Sequence, residues 1–139
     1  MHERTLGASL PSVAALAFLG DAEYSRFVRR MLIDMGYEKA GELNRMSLLY
    51  VTAERQAALA RRLRPMLTED EEDVFRRASN ISHPNRPKHA SVADYRLATG
   101  LEALLGMLSY IGDTERTEEI FSLVRAEFSP EQQTENHEG

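Results

Sequence analysis

The carboxylate of Asp21 interrupts the apolar side of a long helical pattern, in the stretch LAFLGDAEY from Leu16 to Tyr24. In a helix of 3.6 residues per turn, Asp21 falls on the border of the apolar stripe. Its neighbours Ala17, Gly20 and Ala22 are small, and small side chains leave room for an ion with its waters or for a ligand phosphate. An interhelical salt bridge explains the same pattern, so a ligand site and a structural ion pair are alternatives at this stage.

Glu102 has a similar setting in the stretch ATGLEALLG, with Thr99 one turn before it and Gly106 one turn after it. If the two helical segments cross, Asp21 and Glu102 face one shared cavity. Two carboxylates that close repel each other, which raises the pKa of one of them unless a divalent cation or an arginine lies between them. The pair is therefore the strongest candidate for chemistry in this sequence.

The remaining residue types narrow the choice of metal. Cysteine is absent, and the four histidines lack the i, i+4 spacing of a helical zinc pair. If the protein uses a metal, oxygen ligands must hold it, which favours Mg²⁺, with Mn²⁺ as the other choice. The four histidines are His2, His83, His89 and His137.

The length and composition predict one soluble domain. The chain has 139 residues, of which 42% are hydrophobic, with no apolar run of eighteen residues and no secretory signal pattern at its start. We expect a single domain over residues 1–128, an acidic and disordered tail over 129–139, and a cytoplasmic location.

The net charge of −5 conceals an uneven distribution. Residues 113–139 hold eight acids against Arg116 and Arg125, whereas residues 76–96 hold five basic residues against Asp94 alone. A local basic strip of this kind suits a polyanionic partner even in an acidic protein.

Helical periodicity and capping residues predict an all-α fold of about six or seven helices. Pro11 and a Ser9 N-cap mark the start of the first helix, and Thr68 with Glu71 forms a capping-box pattern. The acidic run from Glu69 to Asp73 is interpreted as a solvated first turn that favours the helix dipole, rather than as a metal site. The expected helices are Leu10–Met35, Glu42–Tyr50, Thr52–Leu63, one from the capping box to about Ser79, Val92–Ile111 behind a Ser91 cap, and Thr114–Phe128.

Ordered blocks of the sequence resemble the ribonuclease III family. Phe18-Leu19-Gly20-Asp21-Ala22 is similar to the FLGDA core of its signature, and the block from Glu102 to Gly106 is similar to its EALxG motif. The lack of room for a double-stranded-RNA-binding domain points to the short branch called Mini-III ribonuclease. Further matching blocks are Tyr50 to Ala53 with Gln56-Ala57, Arg76-Arg77 through Asn80, Pro87-Lys88, and Tyr95 to Thr99.

The resemblance implies a homodimeric, magnesium-dependent endonuclease that cleaves double-stranded RNA, with Asp21 and Glu102 as its catalytic, metal-binding acids. The implied substrate is the base-paired stem at the ends of precursor 23S ribosomal RNA, and a ribosomal protein is a possible auxiliary partner. The implied RNA-binding residues are Arg76, Arg77, Asn80, Arg86, Lys88 and Arg96. Arg96, beside Tyr95, has two open roles, which are to anchor the basic loop or to orient Asp21.

Two departures from the fuller family pattern affect the metal site. Ala17 and Thr99 stand where longer relatives have further acids, which is characteristic of the Mini-III branch and leaves waters and RNA phosphates to complete the coordination. Glu23 replaces an apolar residue and is expected at a dimer interface or facing solvent.

Two questions stay open at this stage. Phe18, Leu19 and Tyr24 serve either the dimer interface or the core. The alternative functions are a catalytically silent scaffold of the same fold that binds structured RNA, and a helical protein-interaction module.

Overall fold

The computed structural model describes residues 9–81 and 91–128, which form six α-helices and one short 3₁₀ helix, with no strand among them. This confirms the all-α prediction. None of these helices combines the length and the apolar character needed to cross a membrane. The helices are α1 (Val13–Asp34), α2 (Ala40–Ser47), α3 (Ala53–Leu63), the 3₁₀ helix (Arg64–Met66), α4 (Glu69–Ser79), α5 (Val92–Ile111) and α6 (Thr114–Glu127).

Two of the three predicted N-terminal caps are confirmed. Ser91 accepts a hydrogen bond from the backbone of Asp94 at 3.0 Å, and Thr68 and Glu71 form the reciprocal capping box. The predicted cap at Ser9 is wrong, because the hydroxyl of Ser12 accepts from Ala15 instead. The residue before a proline is disfavoured in the helical region, so Leu10 cannot continue a helix into Pro11 and α1 begins after it.

α5 is the central helix, since α1, α3 and α4 all pack against it. Eleven of its residues are buried, as expected for a helix surrounded by three others. α1 contributes Leu16, Tyr24, Val28 and Leu32 to the same core, each at most 1% exposed. The central position of α5 fixes Glu102 between α1 and α3.

Two glycines allow α1 and α5 to cross with their backbones in contact. A Cβ atom added to Gly20 would overlap the carbonyl oxygen of Glu102, and one added to Gly106 would overlap the carbonyl oxygen of Leu16. Only glycine permits so close an approach. Because Gly20 precedes Asp21, this crossing sets the position of Asp21 relative to Glu102.

The acidic first turn of α4 is not uniformly solvated as predicted. Glu71 is only 4% exposed, and Arg116 donates to it from both Nε and Nη2 at 2.8 Å. Burial opposes the charge of Glu71, but hydrogen bonds from Arg116 and Thr68 outweigh it and lower the pKa of this carboxyl. The pair joins the start of α4 to the start of α6, a tertiary contact that helical periodicity does not encode.

Candidate active site

An open cavity of about 460 Å³ lies where α1, α3 and α5 meet. Both predicted acids, Asp21 and Glu102, line it. Its remaining lining residues are Ala14, Ala17, Phe18, Val51, Ala53, Gln56, Ile81, Tyr95, Ala98 and Thr99. In the part of the chain that the structure describes, the cavity therefore has acidic and neutral walls and no basic side chain.

The structure brings the two carboxyl groups into contact. Asp21 is exposed at the cavity mouth, whereas Glu102 is partly buried. Burial raises the pKa of Glu102 to about 8, and a hydrogen bond with Asp21 and the negative charge of Asp21 contribute further. Glu102 thus keeps its proton at neutral pH in the absence of a cation.

The small residues beside the two acids do not all make room for a ligand. The space beside Gly20 and Gly106 is occupied by the backbone of the opposing helix. The interpretation that these residues leave space for an ion is therefore wrong at both positions. Ala17 does line the cavity, because it lies one turn earlier on the side of α1 that faces the opening.

The two positions without the expected acids also lie at this cavity. Ala17 and Thr99 both line it, and the Thr99 hydroxyl donates to the backbone oxygen of Tyr95 at 2.9 Å. Among residues 9–81 and 91–128, no three His, Asp or Glu side chains form a group that could hold a metal ion. A cation bound between Asp21 and Glu102 would have two carboxylates from these residues, so other oxygen atoms would have to complete its coordination.

Gln56 places a further oxygen atom at this cavity, and sequence reasoning did not single it out. Its side chain is only 4% exposed and lines the cavity from α3. Nε2 donates to the backbone oxygen of Val51 at 3.1 Å, while Oε1 is buried without a hydrogen-bond partner among the described residues. An unpaired buried acceptor beside two carboxylates fits a hard divalent cation such as Mg²⁺ or Mn²⁺.

The predicted RNA-binding residues are only partly within the described chain. Arg76 and Arg77 are exposed in the last turn of α4, and Asp73 pairs with them at 2.9 and 3.0 Å. Asn80 is exposed directly after α4, and the next residue, Ile81, lines the cavity. The end of α4 therefore lies beside the two acids.

The other predicted RNA contacts stand as follows. Arg96 is exposed on α5 next to Tyr95, which lines the cavity, so both of its proposed roles stay open. Arg86 and Lys88 lie outside the described residues.

The apolar residues near the signature divide between core and surface. Tyr24 is 1% exposed and its hydroxyl donates to the backbone oxygen of Tyr50 at 2.6 Å, so it belongs to the core. Phe18 is 85% exposed at the cavity rim, the highest exposure of any large hydrophobic side chain among the described residues. Leu19 is partly buried.

Glu23 lies away from the cavity. It accepts a hydrogen bond from the Ser109 hydroxyl at 3.0 Å and lines a separate groove between α1 and α6. It is partly buried rather than facing solvent, and it is not among the residues that line the cavity.

Comparisons with known proteins agree with this arrangement. The profile of the Ribonuclease III domain matches residues 14–113. A Mini-ribonuclease 3 from Symbiobacterium thermophilum is 47% identical over 105 residues, covering 76% of this chain and 81% of that protein. A Mini-ribonuclease 3 from Brevibacillus brevis is 40% identical over 130 residues, covering 91% and 97%. A crystal structure of a Fusobacterium nucleatum protein superposes with a TM-score of 0.77 at 29% identity, covering 85% and 94%.

Proposed function

We propose a substrate, a cofactor and catalytic residues for this chain. The chain itself belongs to the Mini-ribonuclease 3 branch of the ribonuclease III family and is an endoribonuclease. It hydrolyses phosphodiester bonds of double-stranded RNA with Mg²⁺ bound by Asp21 and Glu102. The observation that carries this proposal is the contact between the two carboxyl groups at the mouth of an open cavity.

The acids suit this role because they supply hard, anionic oxygens at one point of the surface. A bound divalent ion supplies a charge that activates a water molecule and stabilises the phosphoryl oxygens. Glu102 gives up its proton when the cation binds, since a metal ligand must be deprotonated. Asp21, the more exposed of the two, lies where a phosphate enters the cavity. Mn²⁺ prefers similar oxygen ligands and is expected to replace Mg²⁺.

The basic residues near the cavity suit an RNA duplex. The bases of A-form RNA are poorly accessible, so a protein binds its phosphates and 2′-hydroxyls. We assign this contact to the end of α4 and the basic strip that follows it. The residues are Arg76, Arg77, Asn80, Arg86, Lys88 and Arg96. To contact RNA, Arg76 and Arg77 must partly leave their ion pairs with Asp73. These ion pairs are exposed, so breaking them costs little free energy.

Cleavage of both strands requires two active sites, which a symmetric homodimer provides. Phe18 supports this assembly, because an aromatic side chain 85% exposed beside the cavity gains most when a second copy covers it.

The resemblance of the ordered sequence blocks supports a more specific substrate, which is the base-paired stem at the ends of precursor 23S ribosomal RNA. The same resemblance supports a cytoplasmic location and a ribosomal protein as auxiliary partner.

The experiment that tests the proposal incubates a long RNA duplex with the purified protein in Mg²⁺ and in chelator. We expect cleavage only in Mg²⁺, and binding at low salt in both, because phosphate contacts do not need the metal. Binding without cleavage in Mg²⁺ would instead identify a catalytically silent scaffold. Neither binding nor cleavage would favour a protein-interaction module.

A further inference from the structure

We propose that Gln56 is a third metal-site residue, whose Oε1 faces the divalent cation held by Asp21 and Glu102, either as a ligand or as acceptor from a metal-bound water. The inference rests on the proposed function, since it assumes that the two acids bind a cation. It adds a neutral oxygen from α3 to carboxylates from α1 and α5.

The hydrogen bond of Gln56 fixes the orientation of its amide. Nε2 donates at 3.1 Å to the backbone oxygen of Val51, a group that can only accept. The reversed amide would place Oε1 against the carbonyl oxygen of Val51. Oε1 is therefore the group left without a partner.

The burial of Gln56 makes this unpaired oxygen costly. The side chain is only 4% exposed, and Oε1 is buried with no hydrogen-bond partner in the described chain. A buried acceptor that lacks a donor loses its hydration without replacement. Such a group in a folded protein calls for an explanation, and a missing ion or its water is a common one.

The surroundings favour a cation over other occupants. Gln56 shares the cavity with Asp21 and Glu102, and none of the described lining residues is Lys, Arg or His. Three oxygen acceptors without a positive side chain attract a hydrated divalent ion and repel a bare phosphate. Ala17 and Thr99 add no charge at this cavity, so the amide supplies an oxygen where the protein ligands are few.

The test measures Mn²⁺ affinity of the RNA-free protein by electron paramagnetic resonance or calorimetry. The Gln56→Leu variant removes the amide, and we expect its dissociation constant to rise by about 10- to 100-fold, as for other groups that support a metal. Asp21→Asn is the matched positive control and is expected to lose binding. Thermal melting without metal checks that each variant is folded.

The outcomes separate this inference from the proposed function. If the Mn²⁺ dissociation constant of Gln56→Leu is within twofold of the wild-type value while Asp21→Asn loses Mn²⁺ binding as expected, only the role of Gln56 is overturned. Failure of the wild type to bind Mn²⁺, together with cleavage in chelator, overturns the metal site itself. If Gln56→Leu does not fold, NMR of the wild type decides, because the Gln56 side-chain amide resonance must shift with the midpoint of Mg²⁺ binding. A resonance that stays fixed contradicts the proposal.

Discussion

At Glu102, the fold keeps a carboxyl group where burial and a neighbouring carboxylate both oppose its charge. The pKa of about 8 means that the metal-free folded protein holds a proton there which the unfolded chain, with an ordinary value of 4.5, has already lost at neutral pH. A group that is unfavourable to the fold when charged but suited to a cation is typical of a functional site.

This raised pKa predicts that the metal-free protein loses stability as the pH rises. Between pH 4.5 and 8 the folded state binds more protons than the unfolded state, so the free energy of unfolding falls across that window. The loss is on the order of a few kcal/mol. Glu102→Gln should abolish most of this fall and be more stable than wild type at pH 9.

Urea unfolding in chelator at pH 5 and pH 9 checks this prediction, with the exposed Glu54→Gln as the matched control. Parallel pH dependence in wild type and Glu102→Gln would contradict the raised pKa.

The two acids meet because of the crossing of α1 and α5. Gly20 and Gly106 bring the backbones into contact, and the carbonyl oxygen of Glu102 lies against Gly20. Gly20 and Gly106 are therefore required for helix packing at this point. The cavity opens at Ala17, one turn before Asp21 on α1.

Gly106→Ala is expected to destabilise the protein by about 3 kcal/mol or more, because the added methyl meets backbone that cannot move aside. Gly41→Ala is the matched control in α2, where a Cβ meets nothing within 4 Å. It should stabilise the protein by roughly 0.5–1 kcal/mol through helix propensity. Chemical denaturation of both variants measures the difference. A Gly106→Ala variant as stable as wild type would show that the helices can separate without cost.

At the scale of the molecule, the exposed Phe18 predicts a dimer that covers it. The exposed ring of Phe18 lies at the rim of the cavity. An interface that buries this ring would therefore bring the second copy close to the cavity of the first. The two acids of the cavity, Asp21 and Glu102, in contrast, come from one chain.

Phe18→Asp should weaken the dimer by about thirtyfold or more, the loss expected for an aromatic anchor at an interface. Ile33→Asp is the matched control, because Ile33 is 57% exposed on the same helix but fifteen residues further along. Sedimentation velocity over a concentration series measures the dissociation constants. Equal effects of the two substitutions, or a wild type that stays monomeric, would contradict the role of Phe18.

Local features of the fold were predictable from sequence, and features that depend on the helix crossing were not. The Ser91 cap and the Thr68–Glu71 capping box depend on residues three apart and were correct. The pairing of Asp21 with Glu102 was expected only on the condition that their two helices cross, and the structure meets that condition through Gly20 and Gly106. The unpaired oxygen of Gln56 and the burial of Glu71 had no sequence signal, because each depends on which helices meet around it.

The central claim, that Asp21 and Glu102 act as one catalytic unit, is tested most directly by a double-mutant cycle. The measurement is the single-turnover cleavage rate of one RNA duplex in saturating Mg²⁺ for wild type, Asp21→Asn, Glu102→Gln and the double variant. We predict that each single variant loses at least about a thousandfold in rate, and that the double variant loses no more, because residues that act as a unit are not additive. The claim would be contradicted if the losses of the two single variants multiplied in the double variant. A single variant whose cleavage rate is within tenfold of that of the wild type would also contradict it.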